Sequence, residues 1–233
     1  MIPFARMVKY GKVIEPGGLL LDVDYSTATL GSAGAGVPDA AGTPFMLRAH
    51  SGSPVSGTVV YDADLGVNVL DCSLSTGYYR TVLPVQGTKL DFSQYDAFEI
   101  QYRMKCSSTG IQTFIETGNY NSRRIFGFTN SFNQYSTNYN QLFIDWGDVY
   151  QRALPAWVNP NAWDTITIQF RKGISITMHS ELIGSTYTSP WYPIVSGDGQ
   201  YLSLFGSYVD GDNGSNAYIF NGRVQYIKIR ELI

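Results

Sequence analysis

Residues 90–106 read LDFSQYDAFEIQYRMKC and carry the clearest structural pattern in the chain. From Phe98 onward every second residue is apolar, and the residues between them are charged or carry an amide. The apolar set is Phe98, Ile100, Tyr102, Met104 and Cys106, and the polar set is Glu99, Gln101, Arg103 and Lys105. This alternation predicts a β-strand with one buried face. Because that face needs a second layer to cover it, the pattern predicts an all-β, antiparallel two-sheet sandwich.

The composition fits one large β domain. A chain of 233 residues buries enough surface to be stable without disulfides. Its formal net charge is -3, and its longest basic cluster is the pair Arg123-Arg124. Nucleic-acid-binding domains carry a basic patch, so the charge pattern excludes nucleic acid as a partner. Because only 15% of the residues are charged, the surface must consist largely of uncharged polar residues and tyrosine.

The amino terminus reads MIPFARMVKYGK and lacks the apolar core and cleavage site of a secretory signal. No apolar run approaches the ~20 residues that a membrane helix needs. We therefore predict synthesis in the cytoplasm without a signal peptide and without membrane insertion. Residues 1–18 are predicted to form a docking arm, and residues 19–233 the domain. The arm would contact a neighbouring subunit through Phe4, Met7, Val8 and Tyr10.

Short strand-like runs separated by turn residues follow along the chain, and no long segment has a helical period. The predicted strands are 19–25, 55–61, 67–72, 78–82, 98–106, 112–116, 124–129, 142–146, 165–170, 174–178, 201–205, 218–220 and 223–229. The small residues and prolines of 31–44 predict a loop. Gly173 is predicted to turn a hairpin whose second strand buries Ile174, Ile176 and Met178. The parity of apolar residues changes between Tyr226 and Ile227, which predicts either a β-bulge or an edge strand whose two faces are both partly covered.

The two cysteines leave the disulfide state open. Cys106 continues the apolar parity of its strand and is predicted to be a small core residue. Cys72 lies in a segment of mixed character, and a Cys72–Cys106 disulfide is the alternative.

Three segments, in this order, resemble the concanavalin A-like, laminin-G-like jelly roll. They are LDFSQYDAFEIQYRMK at 90–105, NAWDTITIQFRKGISITMHSELIG at 161–184 and FNGRVQYIKI at 220–229. The resemblance implies two curved sheets and a concave face that in many relatives binds carbohydrate or a protein. It does not imply catalysis, because the acidic run of glycan-cleaving relatives has no counterpart in this chain. The opening MIPFARMVKYGK also resembles accessory structural proteins of tailed bacteriophages.

The stretch from Thr117 to Trp157 is the predicted binding region. Sugars are bound by aromatic rings and by planar amide, carboxylate or guanidinium groups, which this stretch supplies densely. The candidates are Tyr120, Asn121, Arg123, Tyr135, Asn138, Tyr139, Asp145, Trp146, Asp148, Tyr150 and Trp157. Two alternatives stay open: a protein-contact surface, or no specific site, with Trp146 and Trp157 in the core. Trp191 and Tyr192, between two prolines, form a second candidate anchor or a lid.

Other site chemistries have weaker patterns. The offset between Asp145 and Asp148 does not fix the carboxylate separation that glycoside hydrolysis requires. The segment 210–214 superficially resembles a calcium loop, but a hairpin turn explains it better, so no cofactor is predicted and a loop calcium ion stays an alternative. His50 and His179 are isolated in sequence, which argues against a transition-metal site.

Together these patterns favour a non-enzymatic virion accessory protein, either tail-associated or capsid-decorating. Its expected partners are other virion proteins or copies of itself, with cell-surface glycan as a further ligand. The alternatives are a soluble lectin or receptor-binding module and, third, a glycoside hydrolase or lyase.

Overall fold

The computed structural model describes residues 16–31, 37–49, 53–106, 112–119, 122–131, 141–146, 149–157, 161–190, 200–206 and 219–233. The strands are β1 (Pro16–Asp24), β2 (Phe45–Arg48), β3 (Thr58–Asp62), β4 (Val67–Asp71), β5 (Tyr78–Thr81), β6 (Ala97–Cys106), β7 (Gln112–Asn119), β8 (Ser122–Ser131), β9 (Gln141–Trp146), β10 (Val149–Trp157), β11 (Trp163–Arg171), β12 (Ser175–Ser180), β13 (Ser185–Pro190), β14 (Tyr201–Leu204) and β15 (Gly222–Leu232). A single-turn 3-10 helix, Phe92–Gln94, precedes β6. Over these ranges no helix has the length and apolarity needed to cross a membrane.

The strands form two antiparallel sheets. Sheet A has the order β13-β12-β11-β6-β15-β4-β3, with β1 also paired to β15. Sheet B has the order β10-β9-β8-β7-β14-β5-β2. The predicted all-β, two-sheet sandwich is confirmed. Residues 1–15 of the predicted docking arm, with Phe4, Met7, Val8 and Tyr10, lie outside the described residues, whereas its last three residues, 16–18, belong to β1.

Strand β6 lies in the middle of sheet A, paired with β11 on one side and β15 on the other. Its apolar parity is buried from Phe98 to Cys106, as the alternation predicts. Phe98 stacks on Phe170 of β11 with ring centroids 4.4 Å apart. Tyr102 packs against Phe114 of β7 at the same distance, 4.4 Å. This second contact crosses from sheet A to sheet B, so the apolar face of β6 lies in the shared core.

Strand β15 pairs with three strands. Its first residues pair with β4, its later residues with β1, and nearly its whole length with β6. The register with β6 shifts between Val224 and Tyr226, which places Gln225 in a bulge. The predicted bulge is therefore confirmed, one residue before the parity change in the sequence. Tyr25 extends the contact, because its N–H donates to the Gln225 carbonyl at 2.9 Å.

The hairpin of β11 and β12 follows the predicted register except at its turn. Gly173 has a φ of 70°, a left-handed conformation that glycine adopts without strain. Ile176 and Met178 are buried, but Ile174 is 71% exposed. The predicted burial of Ile174 is wrong, because this residue belongs to the turn and β12 begins only at Ser175.

The long loop before β2 is fastened by one carboxylate. Asp39 accepts hydrogen bonds from the N–H groups of Asp22 at 2.7 Å, Ala41 at 3.0 Å and Thr43 at 2.8 Å. The hydrogen bond from Asp22 ties the loop to β1. Residues 37–44 form no strand, and their one ladder contact is an isolated bridge between Asp39 and Val23.

Three strands were not predicted, and all of them lie at sheet edges. β2 and β10 end sheet B, and β13 ends sheet A. β13 reads STYTSP and β10 contains Pro155, so neither has the apolar alternation of an inner strand. The predicted strand 218–220 is wrong where it is described: Phe220 lies outside any strand and packs 5.2 Å from Phe114 in the core.

Both cysteines are buried and free, so they form no disulfide. The predicted core position of Cys106 is confirmed. Burial raises the pKa of the Cys72 thiol well above its ordinary value, and the nearby Asp71 charge raises it further.

Candidate functional site

The predicted binding region forms one half of sheet B. The stretch from Thr117 to Trp157 runs from the end of β7 through β8, β9 and β10, which pair in sequence order. Arg123 lies in β8, Asp145 and Trp146 in β9, and Tyr150 and Trp157 in β10. The remaining candidates lie outside the described residues: Tyr120, Asn121, Tyr135, Asn138, Tyr139, Asp148, Trp191 and Tyr192. The structure therefore brings five of the predicted residues onto three neighbouring strands.

The described side chains of sheet B separate into two faces. Ile115, Leu202 and Leu204 belong to the core that sheet A covers. Their neighbours in β7 and β14, Glu116 and Ser203, fall on the opposite face, because successive side chains in a strand alternate.

A row of polar residues crosses this outward face. Ser203 pairs with Glu116 on one side and with Arg80 of β5 on the other. The guanidinium carbon of Arg80 lies 4.0 Å from the ring centroid of Tyr201, a cation–π contact on the same face. We call Arg80, Ser203 and Glu116, with Tyr201 beside them, the polar row.

The polar row is buried although it points away from the core. Arg80 is 8% exposed, and Glu116 and Ser203 are 0% exposed. Among the described residues the Ser203 hydroxyl has no hydrogen-bond partner. An unsatisfied buried hydroxyl costs about 1–3 kcal/mol, so a ligand group that bonded to it would recover that loss. Buried polar groups on an outward face are typical of a binding site rather than of a solvated sheet surface.

The register extends the polar row toward the predicted region. Gly127 of β8 pairs with Glu116 of β7, and Asp145 of β9 pairs with Gly127. Asp145 is thus two strands, about 10 Å, from Glu116 along the same row. Glycine contributes no side chain between them. Trp146 is the next residue of β9 and pairs with Val149 of β10 in the register.

Sequence reasoning missed Arg80, Ser203, Glu116 and Tyr201 as site residues. One signal was available: the short segments YYRT and YLSL place an arginine and a serine within otherwise apolar strands. The sequence does not show that β5, β14 and β7 pair with one another, because these strands are far apart along the chain.

Within the described ranges no group of three or more His, Cys, Asp or Glu residues is placed to hold a metal ion. His179 Nδ1 lies 3.0 Å from Thr186 Oγ1, a contact within the outward face of sheet A. His50 and the calcium-loop alternative at 210–214 lie outside the described residues.

Asp164 is another buried acidic side chain, and its role is structural. Its carboxylate accepts hydrogen bonds from the Ser180 hydroxyl at 2.5 Å and the Leu182 N–H at 2.9 Å. Burial raises its pKa, and these hydrogen bonds oppose that shift only in part. Asp164 therefore anchors the turn between β12 and β13.

No known protein family and no curated protein matches the sequence. Solved structures match its fold. Domain 4 of AbnA, a GH43 extracellular arabinanase from Geobacillus stearothermophilus in complex with arabinotriose, has a TM-score of 0.60 at 10% identity, over 93% of this chain and 94% of that chain. The binding domain of Botulinum neurotoxin DC in complex with rat synaptotagmin II has a TM-score of 0.55 at 13% identity, over 91% and 48%. Trypanosoma rangeli sialidase in complex with sialic acid has a TM-score of 0.57 at 11% identity, over 96% and 32%.

These matches show the fold alone. The chain spans nearly all of the first structure, about half of the second and a third of the third. The likeness agrees with the predicted jelly-roll-like sandwich. The predicted phage origin gains no support from these structures and stays a prediction.

Proposed function

We propose that the protein is a non-catalytic β-sandwich that binds glycan through the outward face of sheet B. The observation that carries the proposal is the polar row, in which a guanidinium, a carboxylate and an unsatisfied hydroxyl are buried on a face that points away from the core. These groups donate and accept the hydrogen bonds that sugar hydroxyls make, and the Tyr201 ring offers a surface on which a sugar ring packs.

The comparisons support this proposal at the level of the fold. Two of the similar structures contain a bound saccharide by name, arabinotriose in one and sialic acid in the other. A third is in complex with a protein, synaptotagmin II, so the fold also serves protein binding. The buried polar row favours the glycan, because protein interfaces are rich in apolar and aromatic contacts at their centre.

The ligand must open the site. Glu116 and Ser203 have no exposed surface, so a sugar contacts them only after a local rearrangement. Tyr201 is half-buried and Arg80 slightly exposed, so these two residues make the first contact.

The absence of catalysis is part of the proposal. Glycoside hydrolysis usually needs two carboxylates that flank the scissile bond. Among the described side chains of the polar row, Glu116 supplies the one carboxylate. Asp145, two strands away in the register, is the residue to test. Reducing-end assays on a broad polysaccharide panel are expected to show no turnover; turnover that disappears in Asp145→Asn or Glu116→Gln would contradict a purely binding role.

The test of binding is a glycan array with the whole chain, followed by calorimetry on the best ligand. Glu116→Gln keeps the shape of the side chain and removes its charge, so we expect affinity to fall about 10- to 100-fold, the cost of losing a charged hydrogen bond. Ser203→Ala should weaken binding less. Thr58→Ala, on the exposed position of edge strand β3, is the matched control and should bind normally.

Thermal unfolding of each variant separates lost binding from lost folding. Trp146→Ala and Tyr139→Ala test the predicted stretch independently. Normal binding by folded Glu116→Gln and Ser203→Ala would show that the polar row is not the site, and no binding by the wild-type chain across the array would contradict glycan binding itself.

The predicted virion role stays separate from this proposal. It depends on residues 1–18, of which most lie outside the described ranges. Deletion of residues 2–12 should abolish incorporation into a particle while the domain stays folded; normal assembly of the truncated protein would contradict it.

A further inference from the structure

The face of sheet A that points away from sheet B is a second polar surface, on the opposite side of the sandwich from the polar row. It carries the polar parity of β6 and the residues paired with it. In one cross-strand row Tyr226 of β15, Arg103 of β6 and Thr165 of β11 are direct neighbours. In the next row Gln101 of β6 pairs with Thr167 of β11.

Nearly every cation of the two central strands has a carboxylate partner. Arg230 bonds to Glu99, with its Nε 2.9 Å from Oε1. Lys105 Nζ lies 3.1 Å from an Asp64 oxygen, and Lys228 Nζ lies 3.4 Å from an Asp22 oxygen. Arg223 has two carboxylate partners, with its Nη1 2.9 Å from an Asp62 oxygen and its Nε 3.0 Å from an Asp71 oxygen. Of the five cations in β6 and β15, only Arg103 forms no ion pair in the part of the chain that the structure describes.

Arg103 also has no hydrogen-bond partner within the ranges that the structure describes. Its Nε atom is buried without one. The side chain as a whole is half-buried, so an anion can reach it through the terminal nitrogens. Burial raises the pKa of the neighbouring Tyr226 phenol, and a hydrogen bond with Thr165 opposes that shift. The charges of Glu181 and Asp24 raise the same pKa and the charge of Arg103 lowers it, but neither carboxylate forms an ion pair with Arg103 in the described part of the chain.

We propose that Arg103 is the anchor of a second site, which binds the carboxylate of an acidic sugar. A guanidinium holds a carboxylate with two parallel hydrogen bonds, and this geometry distinguishes it from the point charge of a lysine. The neighbouring amide of Gln101 and hydroxyl of Thr167, which lie 3.3 Å apart, suit the hydroxyls of the same sugar. The Tyr226 ring provides a flat apolar surface beside them.

The class of sugar follows from the missing counter-ion of Arg103 and from the polar side chains around its guanidinium. A neutral sugar would leave the unpaired guanidinium without a counter-ion, and an acidic peptide would not use the hydroxyl-bonding side chains around it. A uronic or sialic acid supplies both a carboxylate and hydroxyls.

Calorimetry at low salt with an oligogalacturonate hexasaccharide tests the site, and the fully methyl-esterified hexasaccharide is the matched neutral ligand. We expect binding of the acid and at least tenfold weaker binding of the ester. Arg103→Gln should weaken binding of the acid about tenfold or more, and Arg103→Lys should restore it only in part.

Lys105→Gln is the control for charge alone, because it removes the same charge two positions along the same strand. It should retain most of the binding. Because the Arg103 variants test sheet A and Glu116→Gln tests the polar row on sheet B, either proposal can fail while the other holds. Three results would overturn the inference: equal binding of acid and ester, equal losses in Arg103→Gln and Lys105→Gln, or equally tight binding of a hexaglutamate peptide.

Discussion

Gly222 begins β15 where its backbone lies against the end of β6, and adding one methyl group there tests the packing of the two strands. A Cβ atom at Gly222 would lie 2.3 Å from the Lys105 carbonyl oxygen and 2.7 Å from Phe220 Cζ. Ordinary contacts begin near ~3.5 Å, so the strands must separate by about 1 Å at this point. The nearest atom belongs to the backbone of β6, which cannot rotate away as a side chain can.

We expect Gly222→Ala to lower the free energy of unfolding by about 1–3 kcal/mol, the usual cost of overpacking. For a chain of this size that corresponds to a decrease in Tm of roughly 2–12 °C. Gly18→Ala in β1 is the matched control, because its Cβ meets nothing within 4 Å. Urea denaturation and thermal unfolding of both variants give the comparison. Equal stability of the two variants would refute the packing of β15 against β6 described above.

Three further predictions concern the core, the charged cluster and the thiols. Phe98→Ala removes a ring that stacks on Phe170 at 4.4 Å, and it should lower the free energy of unfolding by ~3–5 kcal/mol in urea denaturation. Ile174→Ala, at the exposed turn, should lower it by less than ~0.5 kcal/mol. Similar losses in the two variants would contradict the assigned core. Burial raises the pKa of Asp62, but hydrogen bonds from Arg223, a backbone N–H and an indole outweigh it and leave the pKa below its usual range. That carboxylate therefore stabilises the fold above its unfolded pKa of ~3.9, and the contribution is lost as pH falls through the lower folded value. Asp62→Asn should accordingly lose less stability than wild type between pH 6 and pH 2, and parallel curves would refute the linkage. Cys72 should not react with a thiol reagent at pH 8 until urea unfolds the chain, and rapid labelling of the native protein would contradict its burial.

The inner strands of the fold were predictable because their sequence alternates. β6 and β11 are buried mainly on one face, so apolar and polar residues alternate along each strand. β10 and β13 lack this period, since edge strands are held by one neighbour and need less apolar surface. Ile174 shows the limit of the pattern: its parity is that of a buried residue, but the turn takes it out of the sheet.

The polar row was not predictable from the same patterns. Arg80, Ser203 and Glu116 come from strands separated by long stretches of chain, and only the strand order makes them neighbours. Dense aromatic and amide residues predict a site on the strands that carry Asp145 and Trp146, and this stays a prediction. Density alone gives neither the face on which a residue lies nor its distance from the buried acid.

Because β15 pairs with β1, β4 and β6 and is the last strand to be synthesised, it affects how the chain folds on the ribosome. β1 and β6 both pair with this strand, so each presents an unpaired edge until residues 222–232 emerge. Contacts of such long sequence separation fold slowly, and an unpaired apolar strand is an aggregation hazard while it waits. A nascent chain stalled before residue 222 should therefore require chaperone protection, and the sandwich should close late, in a single cooperative step.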